Sequence, residues 1–175
     1  MDLNTLIDRS LEAVKKRDAM ALRTISADAN SEAATEGHRE LILIALVDYA
    51  LSKILSKIHY QQVDETFYAK IIKNFKDAKA GSKKETLKNL EAIEDFVIRL
   101  DESEGNFQDT VMDKARVKKA ANLYEKGLSL RRASELTGAD SAQVLEYVGG
   151  SKIHEFSGKG HNAVRLKTAR ELFSA

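Results

Sequence analysis

The sequence predicts an all-α protein, and three observations carry that prediction. Apolar residues recur at three- and four-residue steps along most of the chain. No stretch of the first 104 residues alternates polar and apolar as a half-buried strand does. The 175 residues contain no Pro, so nothing forces a helix to stop by removing its amide. The expected organisation is a helical bundle over residues 1–104, serving dimerisation or sensing, and a second helical region over residues 107–175.

The first helix follows from Leu3, Leu6, Ile7, Leu11 and Val14, which fall on one stripe, with Arg9, Glu12, Lys15 and Lys16 on the other face. A shorter helical piece is expected from Ala19 to Ile25. Residues 26–37 are small and polar and read as a loop with one helical turn starting near Ser31. Gly37 breaks the chain before the next helix. That helix is the centre of the fold: Leu41 to Val47 are all apolar, and Tyr49, Leu51, Ile54, Leu55 and Ile58 continue the pattern. Strands rarely exceed about 8 residues, so the length favours a helix. A helix apolar on nearly every side is covered by other helices. Its charges at Asp48, Lys53 and Lys57 come too soon for a membrane span. Asp48 is expected to be paired with a Ser or Tyr of another helix, because buried polar groups are hydrogen-bonded.

Val63, Phe67, Ile71, Ile72 and Phe75 predict the next helix, which Ala80-Gly81 ends. Ser82 and Glu85 stand as a capping box for another, striped by Leu87, Leu90, Ile93, Val97 and Leu100. Residues 101–106 form an acidic, glycine-containing break and the best domain boundary. Residues 111–126 then predict a basic amphipathic helix, with Val117, Ala120, Ala121 and Tyr124 facing inward. Lys114, Arg116, Lys118 and Lys119 are expected largely in solvent. Gly127 suits the left-handed position after its last turn.

Composition excludes more than it suggests. No Cys means no disulfide framework and no thiolate chemistry, and leaves only His and carboxylates for any metal. Residues 1–4 lack the basic and apolar regions of a secretory signal, so a cytoplasmic location is expected. The net charge is +1, yet residues 111–175 hold 12 basic and 7 acidic side chains, so the remainder is net acidic. That asymmetry points to an anionic partner for the last third.

Residues 129–148 carry the most specific spacing. Ser129 can cap a short helix, and Ala133-Ser134 offers small residues where a second helix crosses. Gly138, four residues after Ser134, tolerates the positive φ of a tight turn. Asp140 or Ser141 can cap the second helix, and Val144, Tyr147 and Val148 can pack it onto the first. With the preceding helix these make a three-helix unit. Over roughly residues 112–150 the chain resembles uncharacterised archaeal helix-turn-helix proteins, described as predicted transcriptional regulators. The resemblance implies a helical N-terminal region, a C-terminal helix-turn-helix, and sequence-specific binding to duplex DNA.

One departure from that pattern is plain. A second helix in the major groove usually presents Arg, Lys, Asn or Gln to base edges. Here Ser141, Ala142, Gln143 and Glu146 are the exposed candidates, none of them basic. Gln143 can read adenine and Ser141 can bond a phosphate. Backbone affinity must come from Arg131, Arg132 and the basic tail, through Lys152, Lys159, His161 and Arg165. Residues 152–156 and 163–167 can form two short strands of a wing around the turn at 157–162. The favoured alternative is a C-terminal helix from about Ala163, capped by Asn162 and striped by Leu166, Ala169 and Phe173.

Catalytic motifs are missing from the sequence. Gly158-Lys159 lacks the earlier Gly and the following Ser or Thr of a phosphate-binding loop. The four His residues have no ligand spacing, and Glu36, His38 and Glu40, two apart, are expected on different helix faces. No Arg is followed by a His with four to six residues between them, the spacing of small bundle ribonucleases. The expectation is a non-enzymatic, cofactor-free regulator that binds duplex DNA as a homodimer and does not enter the membrane. The alternative is an adaptor or antitoxin-like module whose helix-turn-helix contacts protein.

Overall fold

The structure, a computed structural model, describes residues 2–60, 63–103 and 110–156, the last six of these as helical backbone. Among the described residues the protein is all-α, with eight helices and no strand. None of these helices is long and apolar enough to cross a membrane.

α3 (Arg39–Ser56) is the central helix, as its composition requires. Every residue from Glu40 to Asp48 is buried, and Leu51 and Ile54 extend the burial. α1, α2, α5, α6 and α7 all pack against it. It ends two residues before Ile58, the last apolar residue of the sequence pattern; Ile58 instead sits in a 3₁₀ turn (Ile58–Tyr60) and is 80% exposed.

α1 (Leu3–Lys15) buries Leu6, Ile7, Leu11 and Val14, the expected stripe. α2 (Ala19–Glu36) differs from expectation. It runs unbroken through residues 26–36, where the sequence predicts a loop. Its inward stripe is Leu22, Ile25, Ser26, Ala29, Asn30 and Ala33, a helical spacing written largely in small residues. Such a stripe carries little apolar contrast along the sequence, yet lets two helices lie close. The contact is tight enough for the Ser26 hydroxyl to donate to the Ala45 carbonyl of α3. Asp18 caps α2 by accepting from the Met20 and Ala21 amides, and Gly37 ends it at φ +68°.

α4 (Glu65–Ala80) buries Tyr68, Ile71 and Phe75 against α1 and α5. α5 (Lys83–Ser103) buries Leu90, Ile93 and Val97. At its start Glu85 reaches back to the Ser82 amide at 2.7 Å, and the Ser82 hydroxyl turns to the same carboxylate. α6 (Val111–Glu125) packs on α2, α3 and α5 and carries α7 (Leu130–Thr137) and α8 (Ser141–Phe156) on its other side. The buried apolar side chains of all eight helices form one continuous cluster.

Asp101, at the end of α5, ties three elements together. Its carboxylate accepts the Tyr60 hydroxyl on one oxygen and the Val111 amide, at 2.6 Å, on the other. A buried carboxylate therefore fixes the turn after α3 and the first residue of α6. An anion at a helix N-terminus also matches the helix dipole.

Candidate functional site

The local chemistry of α6, α7 and α8 sets how α8 is presented. The Thr110 hydroxyl accepts the Asp113 amide at 3.0 Å while the Asp113 carboxylate accepts the Thr110 amide at 3.2 Å, closing a capping box on α6. Ser129 caps α7, accepting the Arg132 amide at 3.2 Å. Gly138 ends α7 at φ +71°, donating to the Ser134 carbonyl at 2.8 Å. Asp140 then caps α8, accepting the Ala142 and Gln143 amides, each at 3.0 Å. Across the turn the Ser141 hydroxyl donates to that of Ser134 at 3.0 Å. Val144 and Val148 are buried beneath α8.

The left-handed turn has room for a methyl group, since a Cβ at Gly138 would only touch Arg116 at 3.9 Å. Gly138→Ala is therefore expected to cost about 1–2 kcal/mol from backbone strain alone. Chemical denaturation of the variant measures this, and an unchanged midpoint would mean the turn is not held at positive φ.

Ser141, Ala142, Gln143, Leu145, Glu146 and Tyr147 are all exposed on α8. Tyr147, expected to pack inward, is 40% exposed, and Leu145 is 49% exposed. Val144 and Val148 take the inward positions, and at about 100° per residue Tyr147 lies roughly a quarter turn from their midline.

Arg131 and Arg132 sit on α7, and both turn to Glu135, Arg131 at 2.8 Å and Arg132 at 3.9 Å. The Arg132 guanidinium lies beside Gly37, ahead of the start of α3. Gln143 lies elsewhere, in a groove along the C-terminal half of α3. The structure therefore brings Gln143 together with Glu146 and Tyr147, and leaves Arg131 and Arg132 outside that groove. Lys152 belongs to α8, whose helix continues through residues 152–156 in place of a wing strand. Lys159, His161, Arg165, the second wing strand and the C-terminal helix lie outside the described residues.

The groove, about 530 Å³, runs between α3, α6 and α8. Tyr49 and Lys53 line it from α3 and Lys57 from the residue that follows it, and Val111, Lys114, Val117 and Lys118 line it from α6. None of its four lysines makes an ion pair among the described residues. Of its two carboxylates, Asp113 is already engaged by the α6 cap and by Arg116 at 3.4 Å. The ammonium groups of Lys118, Lys119 and Lys53 stand 5.0, 5.2 and 5.3 Å from the Tyr49 ring centroid. Aromatic faces attract such cations. Sequence reasoning missed this cluster, because its lysines come from helices some 60 residues apart in sequence.

Lys119 corrects a second expectation. It is only 3% exposed, and its ammonium donates to the Ser26 carbonyl at 3.3 Å. Burial first, then the charge of Lys118, pushes it down to about 8. The buried stripe Met112, Ala115, Lys119 and Leu123 repeats at helical spacing, so its position was readable even though its residue type argued for solvent. Arg116, also expected in solvent, is part-buried and pairs with Glu94 at 2.7 Å. Asp48 is fully buried and accepts the Ser10 hydroxyl at 2.6 Å, the interhelical pairing expected of it. Its other oxygen has no hydrogen-bond partner among the described residues. Burial pushes Asp48 up to about 7, against the opposing pull of the Ser10 hydroxyl and of Lys119.

A smaller pocket, about 300 Å³, is lined by Glu36, His38, Glu40 and Lys83 among others. His38 Nδ1 lies 3.3 Å from Glu36, so these neighbours share a site that helical spacing denied them. The reason is that Glu36 ends α2 and His38 is the residue before α3, so the chain reverses between them. No cluster of His and carboxylates among the described residues has the arrangement of a metal site. Compared with protein-family models, curated proteins and solved structures, the chain matches none.

Proposed function

We propose that the chain is a cytoplasmic DNA-binding protein, acting in transcriptional regulation as a homodimer, with α7 and α8 as its helix-turn-helix. The observation that carries this is the exposed face of α8, held by the Gly138 turn and the Asp140 cap, beside four lysines that make no ion pair among the described residues. α8 would supply the base-edge contacts, Gln143 being suited to adenine. Lys114 and Lys118, with Lys53 and Lys57, would supply the phosphate attraction that residues 141–150 lack. Arg131 and Arg132 would reach the backbone from α7, though each must first leave Glu135. The helical body would carry the dimer contact, since paired half-sites raise the affinity of a single unit.

Exposed Leu145 and Tyr147 favour a second reading, a protein-interaction module whose partner covers α8. Titration against random duplex DNA at two salt concentrations separates the two. Binding in the micromolar range is expected, weakening steeply with salt. The double variant Lys114→Ala, Lys118→Ala is expected to flatten the salt slope by about two, one for each lost phosphate contact. The double variant Arg131→Ala, Arg132→Ala tests the α7 contact in the same way. No binding at low salt would remove the DNA reading and leave the protein partner.

A further inference from the structure

We infer that the groove between α3, α6 and α8 takes a small polyanion bearing a flat ring, of the chemistry of a nucleoside triphosphate, whose occupancy excludes DNA from α8. Lys53, Lys57 just past the end of α3, and Lys114 and Lys118 of α6 enter the groove, and none of them makes an ion pair among the described residues. Ammonium groups gathered in this way repel one another, and an anion with several charges relieves that repulsion more than a single charge does. Of the two described lining carboxylates Asp113 is already engaged by Arg116, so the described lining is net positive.

The walls specify more than charge. Tyr49 and Tyr147 contribute aromatic surface, so a ring on the ligand has something to lie against. The volume, about 530 Å³, falls in the range of pockets that hold small organic molecules. Inorganic phosphate would leave the aromatic walls unused.

The groove's third side is α8 itself, through Gln143, Glu146 and Tyr147. A ligand seated there occupies the edge of the helix and the lysines on which DNA would depend. This exclusion rests on the DNA reading above, whereas ligand binding does not.

The test uses ATP with the full chain in metal-free buffer, followed by calorimetry, with inorganic tripolyphosphate as the second arm. ATP is expected to saturate one site per chain. Tripolyphosphate is expected to bind at least about tenfold more weakly, because it lacks the stacked ring. Lys53→Ala with Lys118→Ala should weaken ATP by about tenfold or more, the loss of charge-assisted bonds. Arg131→Ala with Arg132→Ala should leave ATP binding unchanged.

Three results would overturn the ligand: no saturation by millimolar ATP, equal affinity for tripolyphosphate, or equal loss in the α7 variant. Saturating ATP is expected to weaken DNA binding in the titration above. DNA affinity unchanged by bound ATP would overturn the exclusion. Should the chain bind no DNA at all, the regulator reading fails while the ATP titration still decides the ligand.

Discussion

Replacing Asp48 with Asn is expected to flatten the dependence of stability on pH between about pH 4 and pH 7. In the native protein burial lifts the Asp48 carboxyl from 3.8 to about 7. Between those values the folded chain keeps a proton that the unfolded chain has released. The folded state then binds more protons, so stability falls as pH rises through the window and levels off above it. The full displacement corresponds to roughly 4 kcal/mol at about 1.4 kcal/mol per pH unit. Lys119 acts at the other end, its pKa being pushed down from 10.5 to about 8. From about pH 8 to 10.5 the unfolded chain holds the extra proton, and stability rises with pH. The pair therefore contributes least near pH 7–8, where both groups carry charge out of water.

In the Asp48→Asn variant the side-chain carbonyl can still accept the Ser10 hydroxyl, while the amide has no proton to lose. Denaturation midpoints at about pH 5 and about pH 7.5 measure the effect. The native chain should lose roughly 2–3 kcal/mol between them relative to the variant. Parallel pH profiles would show that Asp48 ionises in the ordinary carboxylate range despite its burial.

Much of the fold was legible because its signals are local. The apolar run at residues 41–47 marked α3 as central, and the expected stripes of α1, α4 and α5 hold the buried positions of those helices in part, Ile71 and Phe75 in α4 and Leu90, Ile93 and Val97 in α5. Ser129, Gly138 and Asp140 announced the α7–α8 turn, since caps and positive φ depend on single residue types. Failures came where residue type and position disagreed. Beyond Ile25, α2 packs through Ala, Ser and Asn, so that part of its stripe had little apolar contrast. Lys119 occupies a core position with a side chain normally left in water. Gly149 and Gly150 lie in the open within α8, where a glycine lowers helix stability without blocking it. The groove lysines were invisible for another reason: only the packing of α3 on α6 brings Lys53 and Lys57 to Lys114 and Lys118.

Asp101→Ala is expected to cost about 3–5 kcal/mol, because two buried donors lose their acceptor and each costs about 1–3 kcal/mol. The two donors are the Tyr60 hydroxyl and the Val111 amide. No other group donates to the Asp101 carboxylate among the described residues, so the loss measures this one junction. Tyr60→Phe removes one donor and leaves the carboxylate on Val111, which should cost about 1–2 kcal/mol. Asp101→Asn keeps one acceptor oxygen for two donors and should fall between them. Urea denaturation of the three variants tests that order. Asp101→Ala within about 0.5 kcal/mol of the native chain would mean that water satisfies both donors and that the junction holds nothing. Function should follow stability here, because Val111 both receives the Asp101 bond and lines the lysine groove. Loosening the start of α6 moves Lys114 and Lys118 relative to Lys53 and Lys57. Anion binding by the groove should therefore weaken in Asp101→Ala even at temperatures where the variant remains folded, and should survive in Tyr60→Phe, where the Val111 amide keeps its acceptor.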